Sequence, residues 1–275
     1  MSEPHRVMSH EMNTISTLRG SLGLALAGLA VVVGASWIYL ASGAGMGSAM
    51  RGMDMSGGET MPMAPAWSPG YAALMLGMWT VMMTAMMLPT STLAVLRVAG
   101  QAGGGHDDAI RGLGHAAGFA VGYLAIWAGF SAAATVLQWA FDSAHLLSET
   151  MALRNAALAG FVTAAVGVYQ LTQLKHACLE RCRALDSCLA SVETRGAWGP
   201  VRSGLHYGVS CVGCCAALMS LLFVGGLMSI VWVAAVAAWV LAEKILPWGG
   251  RLAQLGGVAL IAGGTVAFAI ALAHA

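Results

Sequence analysis

Three thiols within five residues, Cys211-Val-Gly-Cys214-Cys215, stand inside a long apolar run. At 100° per residue they fall within about 100° of a helix surface, so all three sulfurs can face one cavity. Met219 continues the line one turn further on, with Ser210 and His206 on the neighbouring flank. A single buried thiol packs as a small hydrophobe, whereas a thiol triplet at membrane depth suits a soft metal ion. Charge narrows the choice, because net charge is costly in hydrocarbon. Cu(I) held by one thiolate plus thioethers or neutral thiols is formally neutral. Zn(II) with two thiolates is neutral too, but it gains little from thioethers.

Methionine points the same way. Of 18 methionines, twelve fall between Met46 and Met87. Six lie in a polar, glycine-rich stretch: Met46, Met50, Met53 and Met55, then Met61-Pro-Met63. A solvated loop has no core to fill, and M-x-M and M-x-x-M spacings let neighbouring thioethers meet at one ion, with Cu(I) the preferred guest. The other six are Met75, Met78, Met82, Met83, Met86 and Met87 on one apolar segment. Met75, Met78, Met82 and Met86 share a stripe about 80° wide, flanked by Met83 and Met87. Such a stripe commonly fills gaps in a helix interface; its continuity with the outer methionines favours a ligand path. Pro89 removes one helical hydrogen bond and frees the carbonyl of Ala85.

A second thiol group, Cys178 and Cys182 with Cys188 beyond, falls in a basic inner segment beginning at Lys175-His176. Cys178 and Cys182 are four apart and share a face if the preceding helix continues, and basic neighbours favour thiolate, the metal-binding form. His115 and His206 lie near helix ends, as interfacial residues or, in the alternative, as ligands to a metal or haem. Tyr169, Gln170, Thr172 and Gln173 end one span and Glu243-Lys244 another, as helix anchors or as the lining of an exit. Gly114, Gly118 and Gly122 form a small-residue stripe for close helix approach.

These groups must be carried by membrane helices. Of 275 residues 58% are apolar and only 9% charged, with 36 glycines and a mean hydropathy of +0.75. A soluble domain carries roughly a quarter charged residues. The expected fold is all-α, a polytopic bundle of about seven transmembrane helices near 21–41, 71–96, 113–139, 152–174, 204–224, 227–246 and 252–273. The fifth and sixth form one apolar run, divided at Gly225-Gly226. With the N-terminus inside, only Arg51 and Arg154 among the Lys and Arg residues fall outside, which gives an N-in, C-out chain in a bacterial inner membrane. The parts are a cytoplasmic segment 1–20, an uncleaved anchor 21–41, an outer methionine-rich loop 42–70, and a six-helix domain 71–273 with an inner loop 175–203. A signal sequence cleaved near Ala41-Ser42-Gly43-Ala44 is the alternative for the first span.

A net charge of +1 offers no field for nucleic acid. Phosphate-cradling loops, hydrolase elbows and paired catalytic carboxylates are absent, and there is no nucleotide domain to drive a pump. Four stretches together resemble a bacterial family of predicted metal-binding integral membrane proteins, a domain of unknown function. They are Trp79-x-x-Met82-Met83-x-Ala85-Met86-Met87-x-Pro89; Tyr169-Gln170-x-Thr172-x-x-Lys175-x-x-Cys178-x-x-x-Cys182-Arg183; Gly204 through Cys211-x-Gly213-Cys214-Cys215-x-x-Leu218-Met219; and Glu243-Lys244. The resemblance covers about 71–246 and implies metal binding. Ala184-Leu185 stands where the family often has Pro. The leading expectation is a non-enzymatic protein that captures Cu(I), carries it inward or delivers it, with lipid and a copper chaperone or copper-dependent membrane enzyme as partners. A transmembrane thiol–disulfide conduit and an accessory subunit of a membrane complex are the alternatives.

Overall fold

The computed structural model describes residues 3–43, 67–100, 106–148, 150–184 and 198–274. These form α1 (Glu3–Ala41), α2 (Pro69–Gly100), α3 (His106–Ser143), α4 (Ala156–Gln170), α5 (Gln173–Arg183), α6 (Gly199–Ser220), the single turn α7 (Leu222–Gly225), α8 (Ile230–Ile245) and α9 (Gly249–Ala273). Among the described residues the only β pairing is one bridge between Leu147 and Leu153.

Five helical segments are long and apolar enough to cross a membrane: Leu22–Ala41, Pro69–Gly100, Ile110–Ser143, Gly199–Gly225 and Gly249–Ala273. The expected seven are therefore not reached on length and apolarity. α4 has 15 residues and α8 has 16, about 23–24 Å of helix against a hydrocarbon core of ~30 Å. Polar residues cut both short. Asn155 caps α4 by accepting from Leu158 N–H, and Thr172 caps α5 by accepting from Lys175 N–H. The Tyr169–Gln173 stretch becomes a 62° bend between α4 and α5, and the stretch expected as an inner loop opens with a helix. Ser229 caps α8 at its start, and Leu246, extended before Pro247, ends it. The long fifth–sixth run divides at Gly226, whose φ of +89° suits only glycine at low cost.

Glycine sets the closest approaches. A Cβ at Gly122 would overlap the Val201 carbonyl, and one at Gly204 the Phe119 carbonyl, so α3 and α6 meet backbone to backbone. Gly118 also touches Pro200, while Gly114 faces open space. α4 and α9 use Gly160 and Gly167 against Gly264 and Gly257 in the same way. Outward faces carry Leu24, Val31, Ile38, Val121, Val168 and Leu255, an apolar belt compatible with membrane insertion.

α2 runs unbroken through Pro89. Just after it Thr90 Oγ1 donates to Met87 O (2.8 Å) and Ser91 Oγ to Leu88 O (2.9 Å), each hydroxyl bonding back onto its own helix.

Candidate metal centre

Cys211, Cys214 and Cys215 on α6 are each at most 1% exposed. The Gly204 contact presses α3 onto this helix and brings the Tyr123 hydroxyl to 3.1 Å from Cys211 Sγ. The same hydroxyl donates to Met87 O on α2 at 3.0 Å, so one tyrosine ties three helices together at the thiols. Cys214 and Cys215 turn back on their own helix, donating to Cys211 O at 3.1 and 2.8 Å.

Two sulfur pairs form across helices. Cys215 Sγ lies 3.9 Å from Met87 Sδ, and Cys182 Sγ on α5 lies 3.9 Å from Cys214 Sγ. With metal–thiolate bonds of ~2.3 Å, sulfurs sharing an ion sit ~3.8 Å apart in a tetrahedral site and ~4.0 Å in a trigonal one. Both separations are those of sulfurs in direct contact and are compatible with a shared ion. The five cysteines of the described residues are all free thiols.

Charged groups surround the thiols. Lys244 Nζ, 9% exposed, donates to Cys211 Sγ (2.8 Å) and Thr90 Oγ1 (3.1 Å). Lys175, fully buried, donates to the Cys214 carbonyl and pairs with Glu243 Oε2 at 2.6 Å. Glu243 Oε1 in turn accepts from Gln170 Nε2 and Trp239 Nε1, both at 2.7 Å. The Lys175–Glu243 pair cancels its own charge. Lys244 has no carboxylate among these partners, and a thiolate at Cys211 would be its counter-charge.

The residues singled out from sequence fall into three sets. Met78, Met82, Met83, Met86 and Met87 are all at most 3% exposed, and their stripe faces the protein interior; Met219 is buried on α6. Of the expected inner thiols, Cys182 is buried within the membrane group, and half-buried Cys178 packs on Gly213 beside it. Of the basic neighbours, Lys175 pairs with Glu243 and Arg183 donates to the carbonyls of Leu246 and Pro247. Met53, Met55, Met61, Met63 and Cys188 lie outside the described residues. His115 and His206 are exposed, away from the sulfurs.

Tyr123, Lys175 and Lys244 were missed as site residues. Lys175 and Lys244 entered the orientation argument as inner cations, although both side chains are buried. Ionisable groups within or beside apolar helices are the signal that marks them. At the other end of α2 a further polar knot forms. Gln138 Nε2 donates to Met75 Sδ (3.3 Å) and Met151 Sδ (3.2 Å), while its Oε1 accepts from Trp79 Nε1 (2.7 Å).

Among the described residues no group of three or more His, Cys, Asp or Glu side chains is placed to hold a metal ion. No curated protein and no solved structure matches the chain. Residues 76–267, more than half of the chain and the part that holds every sulfur of the described site, match the family PpoB2, described as a copper chaperone, and the chain belongs to that family.

Proposed function

We propose that this protein handles Cu(I) within a bacterial inner membrane, without enzymatic turnover, by passing the ion between methionine and cysteine sulfurs. The observation that carries the reading is the approach of Met87 on α2 to Cys215 on α6 beside the Cys182–Cys214 pair. Sulfur from three helices converges there, and thioether joins thiol in a group that Zn(II) would not favour. Membership of a copper chaperone family supports the metal.

In this reading the methionines of 46–63 capture the ion outside, and Met78, Met82, Met83 and Met86 conduct it along α2. Met87, Cys211, Cys214, Cys215 and Cys182 then hold it. Weak thioether ligands lead to tight thiolate ligands, so the path runs downhill toward the thiols. Cys178, half-buried at the edge of the group, is the exchange point toward a copper chaperone or a copper-dependent membrane enzyme.

The test is metal analysis of detergent-purified protein loaded with Cu(I) under reducing, oxygen-free conditions against a competing Cu(I) chelator. Wild type retains copper. The Cys211→Ser, Cys214→Ser, Cys215→Ser triple variant, with helicity intact by circular dichroism, loses it. Equal copper in both proteins overturns the proposal.

One observation favours a second reading, a thiol–disulfide conduit. Such a conduit needs cysteines on separate helices, and Cys182 and Cys214 meet that need at 3.9 Å. Thiol alkylation and mass analysis after mild oxidation separates the two. A Cys182–Cys214 disulfide that forms and re-opens supports redox work, and thiols that stay free under oxidation remove it.

A further inference from the structure

A cavity of about 60 Å³ lies between the end of α1, the middle of α2 and the start of α8, lined by Leu40, Gly43, Met78, Met82 and Met228 among others. We propose that this cavity is the entry site through which Cu(I) reaches the thiols, bound there by the thioethers of Met78, Met82 and Met228. The inference rests on the copper reading above and adds a site to it.

Volume comes first. A flexible methionine is useful in a core because it closes gaps, yet here three methionines surround space that remains open. Room for a single water takes only ~10–15 Å³, so this void accommodates an ion with space to spare. Leucine or valine at the same positions would serve packing equally well.

The state of the sulfurs is the second, independent observation. Met75 and Met151 sulfurs are already used, each accepting from the Gln138 amide. Among the described residues no donor reaches the sulfurs of Met78, Met82 or Met228, so their lone pairs are open to a metal. Exposure is graded as an entry demands. Met228 is 43% exposed at the rim, while Met78 and Met82 are 3% and 1% exposed.

The rim is held by the turn between α7 and α8. Gly226 takes φ +89°, with the carbonyl of Thr150 crowding the position a Cβ would occupy. Gly43, also lining the cavity, stands three residues before Met46 in the sequence. Inward, the sulfurs continue without a break in kind. Met86 is one turn beyond Met82, and Met87 lies against Cys215. From Met78 to Met87 is ~14 Å along the axis, covered in steps of at most four residues, ~6 Å each. Neutral thioethers need no counter-charge inside the bundle, which is what an entry in apolar surroundings requires.

The experiment compares full-length wild type with Met78→Leu, Met82→Leu, Met228→Leu protein, following transfer of Cu(I) from a coloured Cu(I)–chelator complex. The expected result is loading slowed at least ~tenfold, with the tightly held copper of the thiols still reached in the end against a competing chelator. In the triple Cys→Ser background, residual weak Cu(I) binding is expected, and it disappears when the three methionines become leucine. Loading at the wild-type rate by a folded Leu variant overturns the entry assignment while leaving the thiol site standing. Wild type that takes up no Cu(I) overturns the copper reading itself. Should the triple Leu variant fail to fold, Met228→Leu alone, at a largely exposed position, carries the same kinetic expectation.

Discussion

Around Cys211 the thiols are stitched to four other helices by hydroxyl, ammonium and thioether contacts; around Met78 and Met82 the sulfurs border an open space and no described donor touches them. The two regions share soft ligand atoms and differ in charge. Thiolates need positive partners when buried, and Lys244 is one. Thioethers are neutral and need none, so they can line a cavity inside an apolar bundle. In the proposed function the first region holds the ion and the second lets it pass, and sulfur serves both because its charge differs between the two residue types.

That contrast is open to attack at several points. The largest expected effect is Glu243→Ala, which leaves Lys175 charged and unpaired among the thiols; breaking a buried pair in this way costs about 3–5 kcal/mol. Thermal unfolding in detergent would register it as a large fall in Tm, with Glu243→Gln closer to wild type. An unaltered Tm for the Ala variant would remove the charged network as a structural feature of the thiol region.

Next comes Tyr123→Phe, which strips the hydroxyl from Met87 O and from Cys211 Sγ. Met87 O keeps the Thr90 hydroxyl as a donor, so the loss is that of a buried hydrogen bond, about 0.5–1.5 kcal/mol. Copper affinity should fall with stability, since Tyr123 joins α2, α3 and α6. Retained affinity with reduced stability would mean that the tyrosine braces the fold alone.

Met87→Leu sharpens the comparison most. A volume-conserving swap costs under ~1.5 kcal/mol of stability, so Tm should scarcely move. Cu(I) affinity, read by chelator competition, should fall by at least the ~10–100-fold that loss of a supporting shell residue costs elsewhere. If affinity holds, the thioether at 3.9 Å from Cys215 is packing and the thiols act without it. The smallest effect is expected for His206→Ala, an exposed side chain on α6: within ~0.5 kcal/mol and with no change in bound copper. A loss of copper there would move the metal centre toward the helix end.

Much of this was legible in residue types. The all-α fold follows from apolar runs whose backbone must bond internally, and the break in the long run was readable at Gly226. Cys211, Cys214, Cys215 and the α2 methionines stood out because leucine or alanine would have met the need for apolarity. Of about seven expected spans, five are long and apolar enough among the described residues, or six if the bent α4–α5 pair is one span, because Asn155, Thr172 and Ser229 cap helices inside runs that look continuous by hydropathy. Cys182 was assigned to a loop because nothing local announces that α5 bends 62° and returns along α6.

The amino-acid sequence by itself determined that sulfur is concentrated on particular helical faces, since periodicity is a local property of the backbone. Which sulfurs meet, and that Lys244, Lys175 and Glu243 lie among them, only the tertiary structure decided. Those contacts join residues up to 154 positions apart, Lys244 to Thr90 being the widest. Their geometry depends on where glycine lets α3 close on α6, which no single helix encodes.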